Sequence, residues 1–115
     1  MKTIIRGKQA ETAVAEQLVR DGYEIIDQNW RTKVCEIDVI ARKDKTVYFV
    51  EVKFRAQAGQ GDGLAYITDK KLHKLRFAAN IWNQFSNWDG DYCLLAASVT
   101  TDGRDYIIEE ILELD

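Results

Sequence analysis

The sequence lacks several residues on which common classes of functional site depend. It contains no proline. It also contains a single histidine, so neither a histidine-rich metal cluster nor a Ser-His-Asp triad has much support. Its two cysteines, Cys35 and Cys93, lie far apart and in no Cys-x-x-Cys spacing. That spacing argues against a zinc site and against a disulfide scaffold, and it favours a reducing compartment such as the cytoplasm.

Long apolar runs are also missing. No run approaches the roughly 20 residues that span a bilayer, and the apolar part of the first residues is too short for a secretory signal. The sequence therefore predicts a cytoplasmic protein that makes no contact with a membrane.

The chain has no excess of positive charge. Sixteen Lys and Arg residues against nineteen Asp and Glu residues give a formal net charge of −3. This balance excludes binding of nucleic acid through bulk positive charge, although a local basic patch is still compatible with it. With 115 residues, 46% of them hydrophobic and 30% charged, the chain has the size and composition of one soluble domain covering residues 1–115.

Hydrophobic periodicity predicts a small α/β domain with a mixed sheet, in the order α-β-β-β-α-β. The nearly uncharged segment Tyr92 to Thr100 is expected to be a central strand, buried on both faces. A tight turn at Lys43 to Thr46 predicts a hairpin, and the glycine-rich stretch Ala56 to Gly63 is the candidate substrate loop. The predicted elements are a helix from about Lys8 to Asp21, strands Tyr23 to Arg31, Val34 to Arg42 and Thr46 to Arg55, a helix from Thr68 or Asp69 to about Phe85, the strand Tyr92 to Thr100, and an edge strand Tyr106 to Ile108.

Two acidic residues interrupt the strands of the predicted hairpin. If Asp44 and Lys45 are the turn residues, Asp38 lies directly opposite Glu51. Opposed acids repel each other across a strand pair, and a hard divalent cation such as Mg²⁺ would relieve the repulsion by binding carboxylate oxygens. The alternative is a register shifted by one or two residues, in which the charges interleave as ordinary surface salt bridges.

Glu11 is a third acid in an unexpected position. At about 100° per residue it lies near the middle of the apolar stripe that contains Ala15 and Leu18, where an unpaired carboxylate is costly to bury. An equally good explanation is an acid in the first turn, favoured by the helix dipole and exposed at the helix end.

The start of the second predicted helix is basic. Lys71 lies on the same face as Leu75, whereas Lys70 and Lys74 are expected to point elsewhere. A helix N-terminus also attracts phosphate. Most lysines at such positions are simply solvated, so this signal is weaker than that of the acids.

The arrangement of these residues resembles the YraN-like family of predicted endonucleases. That family is distantly related to Holliday junction resolvases and is placed in the PD-(D/E)xK nuclease superfamily. The resemblance extends from about Gly7 to Trp82 and rests on Ala10-Glu11, Asn29-Trp30-Arg31, Glu36-Ile37-Asp38-Val39-Ile40, Phe49-Val50-Glu51-Val52-Lys53-x-Arg55, and Ile67-Thr68 with Lys71. It implies a restriction-endonuclease-like core in which a mixed sheet is flanked by helices.

The resemblance further implies a metal-dependent nuclease. Asp38 and Glu51, with the Val52 carbonyl, would bind Mg²⁺ or Mn²⁺; Lys53 would be the catalytic lysine; and Glu11 would complete the acidic cluster. Lys71 would contact phosphate, and the further DNA-binding residues would be Arg55, Lys70 and Lys74. DNA is the implied partner, with branched or single-stranded DNA as candidate substrates, and a homodimer is one assembly that the resemblance allows.

The chain departs from the family pattern at several positions. Cys35 stands where the family usually has glycine, the fourth strand lacks an acid often seen in relatives, and Ala56 to Gly63 matches poorly. Two other functions are therefore also consistent with the sequence. One is a nucleic-acid-binding module with little turnover, and the other is a structural or partner-binding protein whose acids form ordinary salt bridges.

Overall fold

The computed structural model describes residues 2–55 and 67–114. The candidate substrate loop, Ala56 to Gly63, lies outside these described residues. Within the described part of the chain, no helix is long and apolar enough to cross a membrane. The elements are α1 (Lys2–Arg20), β1 (Glu24–Arg31), β2 (Glu36–Lys43), β3 (Thr46–Phe54), α2 (Asp69–Phe85), β4 (Asp91–Thr101) and β5 (Tyr106–Leu114).

The five strands form one mixed sheet in the order β1-β2-β3-β4-β5. Strands β3 and β4 are parallel, and the other neighbouring pairs are antiparallel. A parallel connection needs a crossover, which α2 supplies. The α/β class with a mixed sheet is therefore confirmed, and so is the central position of β4 between β3 and β5.

The two helices cover opposite faces of the sheet. The predicted apolar stripe of α1 is fully buried against the sheet, and Val39 and Val50 contribute to that cluster. On the other face, Trp82 of α2 packs edge-on against Phe49 of β3, with the ring centroids 5.5 Å apart. The stripe of α1 consists of Ala10, Val14, Ala15 and Leu18.

The hairpin of β2 and β3 has the predicted register. Lys43 pairs with Thr46 and Val39 with Val50, and Asp44 occupies the left-handed region at a φ of 56°. Asp tolerates that region better than most residues, so the Asp44-Lys45 turn sets the register of both strands.

Two element boundaries differ from those predicted by more than two residues. Helix α1 begins at Lys2 rather than Lys8, although isoleucine and threonine residues in its first turns disfavour a helix slightly. Strand β5 continues to Leu114 rather than ending near Ile108. Its pairing with β4 shifts between Ser98 and Val99, and such a bulge interrupts the alternation of side chains, so no continuous pattern marks the length of this strand in the sequence.

Candidate active site

Asp38 lies where strands β2 and β3 stop pairing. The ladder between them ends at Val39 and Val50, so the expected direct Asp38–Glu51 pair is not part of it. Instead, the Val52 backbone N–H donates to Asp38 Oδ2 over 2.8 Å. The side chain of Asp38 thus takes the place of a backbone carbonyl of β2 as the acceptor for the Val52 N–H of β3.

The alternation of side chains along β2 also breaks at Asp38. Ile37 packs in the core cluster beneath α2, whereas Val39 packs in the cluster beneath α1. On the neighbouring strand, Asn29 lies between the pairs that β1 makes with Ile37 and Val39, and its φ is 55°. Asparagine is one of the few residues that tolerate this left-handed conformation.

Glu11 and Asp38 lie within hydrogen-bonding reach of each other. Burial first, and then the charge of Asp38, raise the pKa of Glu11 to about 7, while the side-chain amide of Asn29 opposes the rise. Burial also raises the pKa of Asp38, against the stabilising hydrogen bond from Val52. Two carboxyls this close favour a state in which Glu11 keeps a proton and shares it with Asp38.

Glu51 is the third member of this acidic cluster, which we define as Glu11, Asp38 and Glu51. Burial raises the pKa of Glu51, the charge of Asp38 raises it further, and the ammonium groups of Lys71 and Lys53 lower it. The carboxylate of Glu51 therefore interacts both with the negative charge of Asp38 and with the positive charges of the two lysines.

Two oxygens of the acidic cluster are buried without a hydrogen-bond partner. They are Glu11 Oε1 and Glu51 Oε2. Buried polar atoms are nearly always satisfied, and carboxylate oxygens are the donors that Mg²⁺ and Mn²⁺ prefer. The chemistry of the donors therefore fits a divalent cation, although no group of three or more His, Cys, Asp or Glu side chains among the described residues has the geometry of a metal site.

A cleft of about 980 Å³ adjoins the acidic cluster. One wall is the connection between β1 and β2, the other is the first half of α2, and Glu51 lies in the lining. Lysines and arginines in the lining outnumber acids, in a chain whose net charge is negative. We call this feature the basic cleft; its described cationic residues are Arg31, Lys33, Lys70, Lys71 and Lys74.

Three of the four predicted DNA-binding residues line the basic cleft. Lys70 and Lys74 lie on the outer side of α2, away from the face of Leu75, and they still share the cleft with Lys71. Arg55 is instead held by Glu109 of β5, with 2.6 Å between Nη2 and Oε1. The side chain of Arg55 is 12% exposed, and it is not part of the described lining of the cleft.

The sequence-based site omits three residues that the structure brings to this region. Arg31 and Lys33 line the basic cleft, and Asn29 contacts Glu11. An asparagine inside a predicted strand is as unfavourable as the aspartate at 38, so the same signal could have identified it. Arg31 and Lys33 carry no such signal, because their position is set by the crossing of a helix distant in sequence.

Comparison with known proteins gives consistent matches along this chain. A model of the uncharacterised protein family UPF0102 matches residues 10–104, which include the acidic cluster and the basic cleft. A UPF0102 protein of Vibrio campbellii is 37% identical over 102 residues, covering 86% of this chain and 84% of the relative. A UPF0102 protein of Fusobacterium nucleatum is 35% identical over 92 residues, covering 80% and 76% of the two chains.

Proposed function

The chain belongs to the uncharacterised protein family UPF0102, and from the acidic cluster beside the basic cleft we propose that it is a metal-dependent endonuclease that cleaves DNA. One observation carries the proposal. Carboxyl groups that repel one another are held together, and Glu11 and Glu51 each keep a buried oxygen without a partner. Such a cluster is unfavourable for folding unless a cation binds it.

Asp38, Glu51 and the backbone carbonyl of Val52 would hold Mg²⁺ or Mn²⁺. When bound, a divalent ion supplies the charge that polarises a phosphate and makes a coordinated water a better nucleophile. Glu11 would keep Asp38 oriented through their hydrogen bond, and Asn29 would fix Glu11 in turn. All of these residues are on strands or on the rigid helix α1, as a precise site requires.

Lys53 would act on the substrate itself. Its ammonium group interacts with Glu51, which favours the charged form of that carboxyl group. A cation at this position can orient the attacking water or stabilise the negative charge that develops on the phosphate during displacement. The basic cleft would hold the flanking phosphates, and the charge of its Lys71 acts on Glu51.

A nucleic-acid-binding module with little turnover is the second candidate function. It is favoured by the finding that no three potential ligands among the described residues have the geometry of a metal site. The basic cleft serves this function equally well, because phosphate contacts alone account for non-specific binding.

Cleavage of labelled DNA in the presence and absence of Mg²⁺ or Mn²⁺ tests the proposal. Duplex, branched and single-stranded substrates should be compared, and cleavage should require the metal. Asp38→Asn, Glu51→Gln and Lys53→Met should each reduce cleavage at least about 100-fold, since residues that act as one unit lose activity together. Lys45→Met in the exposed hairpin turn is the matched control and should cleave at the wild-type rate.

Two results would separate the candidate functions. Salt-dependent DNA binding without cleavage of any substrate, with either metal, would support the binding module. Cleavage that survives in all three site variants would show that the acidic cluster is not the catalytic centre.

A further inference from the structure

Cationic and apolar side chains form a single stripe along the outer side of α2. At about 100° per residue, they fall within about 80° of the helix circumference. The two lysines come first and line the basic cleft, and large apolar groups follow towards the C-terminal end. We call this surface the α2 stripe; its members are Lys70, Lys74, Phe77, Ile81 and Phe85.

The apolar part of the α2 stripe is exposed to an unusual degree. Phe77 is 49% exposed and Phe85 is 74% exposed. Aromatic side chains normally bury most of their surface, and α2 already has a separate apolar face, centred on Leu75 and Trp82, that packs against the sheet. The ring of Phe77 is therefore not needed for packing of the helix.

The opposite wall of the basic cleft has the same mixed character. In the connection between β1 and β2, Val34 is 72% exposed and Lys33 is exposed beside it. At the end of β1, Trp30 packs edge-on against Phe85, with 6.2 Å between the ring centroids. Apolar and cationic groups thus lie on both walls.

We propose that the basic cleft and the α2 stripe bind unpaired, single-stranded DNA, with phosphates at Lys70, Lys74 and Lys33 and a base stacked on the ring of Phe77. This inference rests on the proposed function, which assigns DNA as the substrate. It specifies further that the bound DNA is single-stranded. A positively charged groove with aromatic side chains on which bases stack is the general solution for binding single strands.

The position of the ring favours a single strand over a duplex. Phe77 lines the basic cleft and is 49% exposed, so its ring is accessible to a bound base. In a duplex the faces of the bases are stacked on one another, and an exposed phenylalanine ring meets only sugars and phosphates. Phe77 can stack only on a base that has left the helix.

Fluorescence anisotropy in EDTA tests the proposal with labelled oligothymidylate, a duplex of the same length, and oligouridylate. Binding of the single-stranded DNA should be at least about tenfold tighter than binding of the duplex. Phe77→Ala and Phe77→Leu should each weaken it about tenfold, within the range that one stacked base contributes. Phe77→Tyr, which keeps an aromatic ring, should retain wild-type affinity.

The control variant is Ile107→Ala, which removes an exposed apolar side chain from β5. It should leave binding of all three probes unchanged. Equal affinity for duplex and single strand, or equal affinity of Phe77→Leu and wild type, would overturn the proposal. Tenfold tighter binding of oligouridylate would overturn the assignment of DNA. Since the assay contains no metal, each of these outcomes is independent of whether the protein cleaves.

Discussion

Asp38 occupies a strand interior because its carboxylate accepts a backbone hydrogen bond from the neighbouring strand. Asp is unfavourable in strands as a rule, and burial and the charge of Glu36 add to the penalty on its own charge. The contact with Val52 compensates in part. The same residue therefore has a structural role, as an acceptor, and a charge that only a cation would balance fully.

Asp38→Asn separates these two roles. The amide oxygen can still accept from Val52, while the negative charge is lost, so the free energy of unfolding without metal should stay the same or rise by up to about 1 kcal/mol. Asp38→Ala should lower it by about 1–3 kcal/mol, because it leaves the Val52 N–H unsatisfied. Urea denaturation at pH 7 in EDTA measures both changes.

The same pair of proteins also tests metal binding. Excess Mg²⁺ or Mn²⁺ should raise the Tm of the wild type through mass action, and it should not raise the Tm of Asp38→Asn. If Asp38→Asn instead destabilises the protein in EDTA, Asp38 belongs to a structural salt-bridge network. That result would favour a structural or partner-binding protein over an enzyme.

Glu11 gives the protein a pH-dependent stability whose sign follows from its pKa of about 7 in the folded state. The unfolded chain releases this proton near pH 4.5, so between these values the folded state binds more protons. Stability should therefore fall as the pH rises from about 4.5 to 7. Glu11→Gln should flatten this fall and raise the free energy of unfolding at pH 8 by about 1 kcal/mol, a value reduced for solvent screening at a half-buried group.

Urea denaturation at pH 5 and pH 8 measures the effect of Glu11→Gln. Glu16→Gln, on the exposed side of the same helix, is the matched control and should keep the wild-type pH dependence. An identical slope for Glu11→Gln and wild type would show that Glu11 holds no proton in the folded protein.

At the scale of elements, the start of α2 determines where the cleft lysines project. Thr68 is the N-cap, and its hydroxyl oxygen accepts from the Lys71 backbone N–H over 3.2 Å. This bond satisfies one of the free N–H groups of the first turn and fixes the direction of Lys70 and Lys71.

Thr68→Ala should lower the free energy of unfolding by about 1 kcal/mol. Thr68→Ser retains the hydroxyl and should differ from the wild type by less than half of that. Urea denaturation of the three proteins gives the comparison, and equal losses for Ala and Ser would show that the hydroxyl does not cap the helix.

Elements whose signals are local could be predicted from the sequence. The β2–β3 hairpin is one of them, because the Asp44-Lys45 turn and the alternation of its strands lie within a few residues of each other. The buried stripe of α1 is another. By contrast, the full length of β5 depends on its pairing with β4, which overrides weak local preferences.

The acids of the site could be singled out because they violate local rules for strands and apolar stripes. Asp38 and Glu11 are both of this kind, and the structure brings them within hydrogen-bonding reach. The position of Arg55 could not be predicted. Its partner Glu109 lies where the pairing of β4 and β5 shifts, and no pattern near Arg55 reveals that bulge.

At the scale of the whole molecule, charge is distributed unevenly. The net charge is −3, yet the basic cleft concentrates cations on the side of α2, while α1 lies on the opposite face of the sheet. Clefts lined by one sign of charge focus the electrostatic field and attract ligands of opposite charge despite the net charge of the protein.

DNA binding should therefore depend on salt through the cleft residues alone. Lys74→Gln should weaken binding of single-stranded DNA and reduce the slope of log K against log salt concentration by about 0.7, the value for one phosphate contact. Lys8→Gln, an exposed lysine on α1, should change neither quantity. Anisotropy titrations at several salt concentrations measure the slopes, and equal slopes for the two variants would place the bound strand elsewhere.

The hydrogen bond from the Val52 backbone amide to Asp38 couples a nuclear spin of the main chain to the acidic cluster. The resonance frequency of an amide proton depends on the charge of the group that accepts its hydrogen bond. Protonation or cation binding at Asp38 thus shifts the Val52 signal, whereas amides inside the regular β2–β3 ladder keep theirs. The chemical shift of the Val52 amide in a heteronuclear spectrum of isotope-labelled protein therefore reports the charge of the acidic cluster. The measurement needs no substrate and no attached probe.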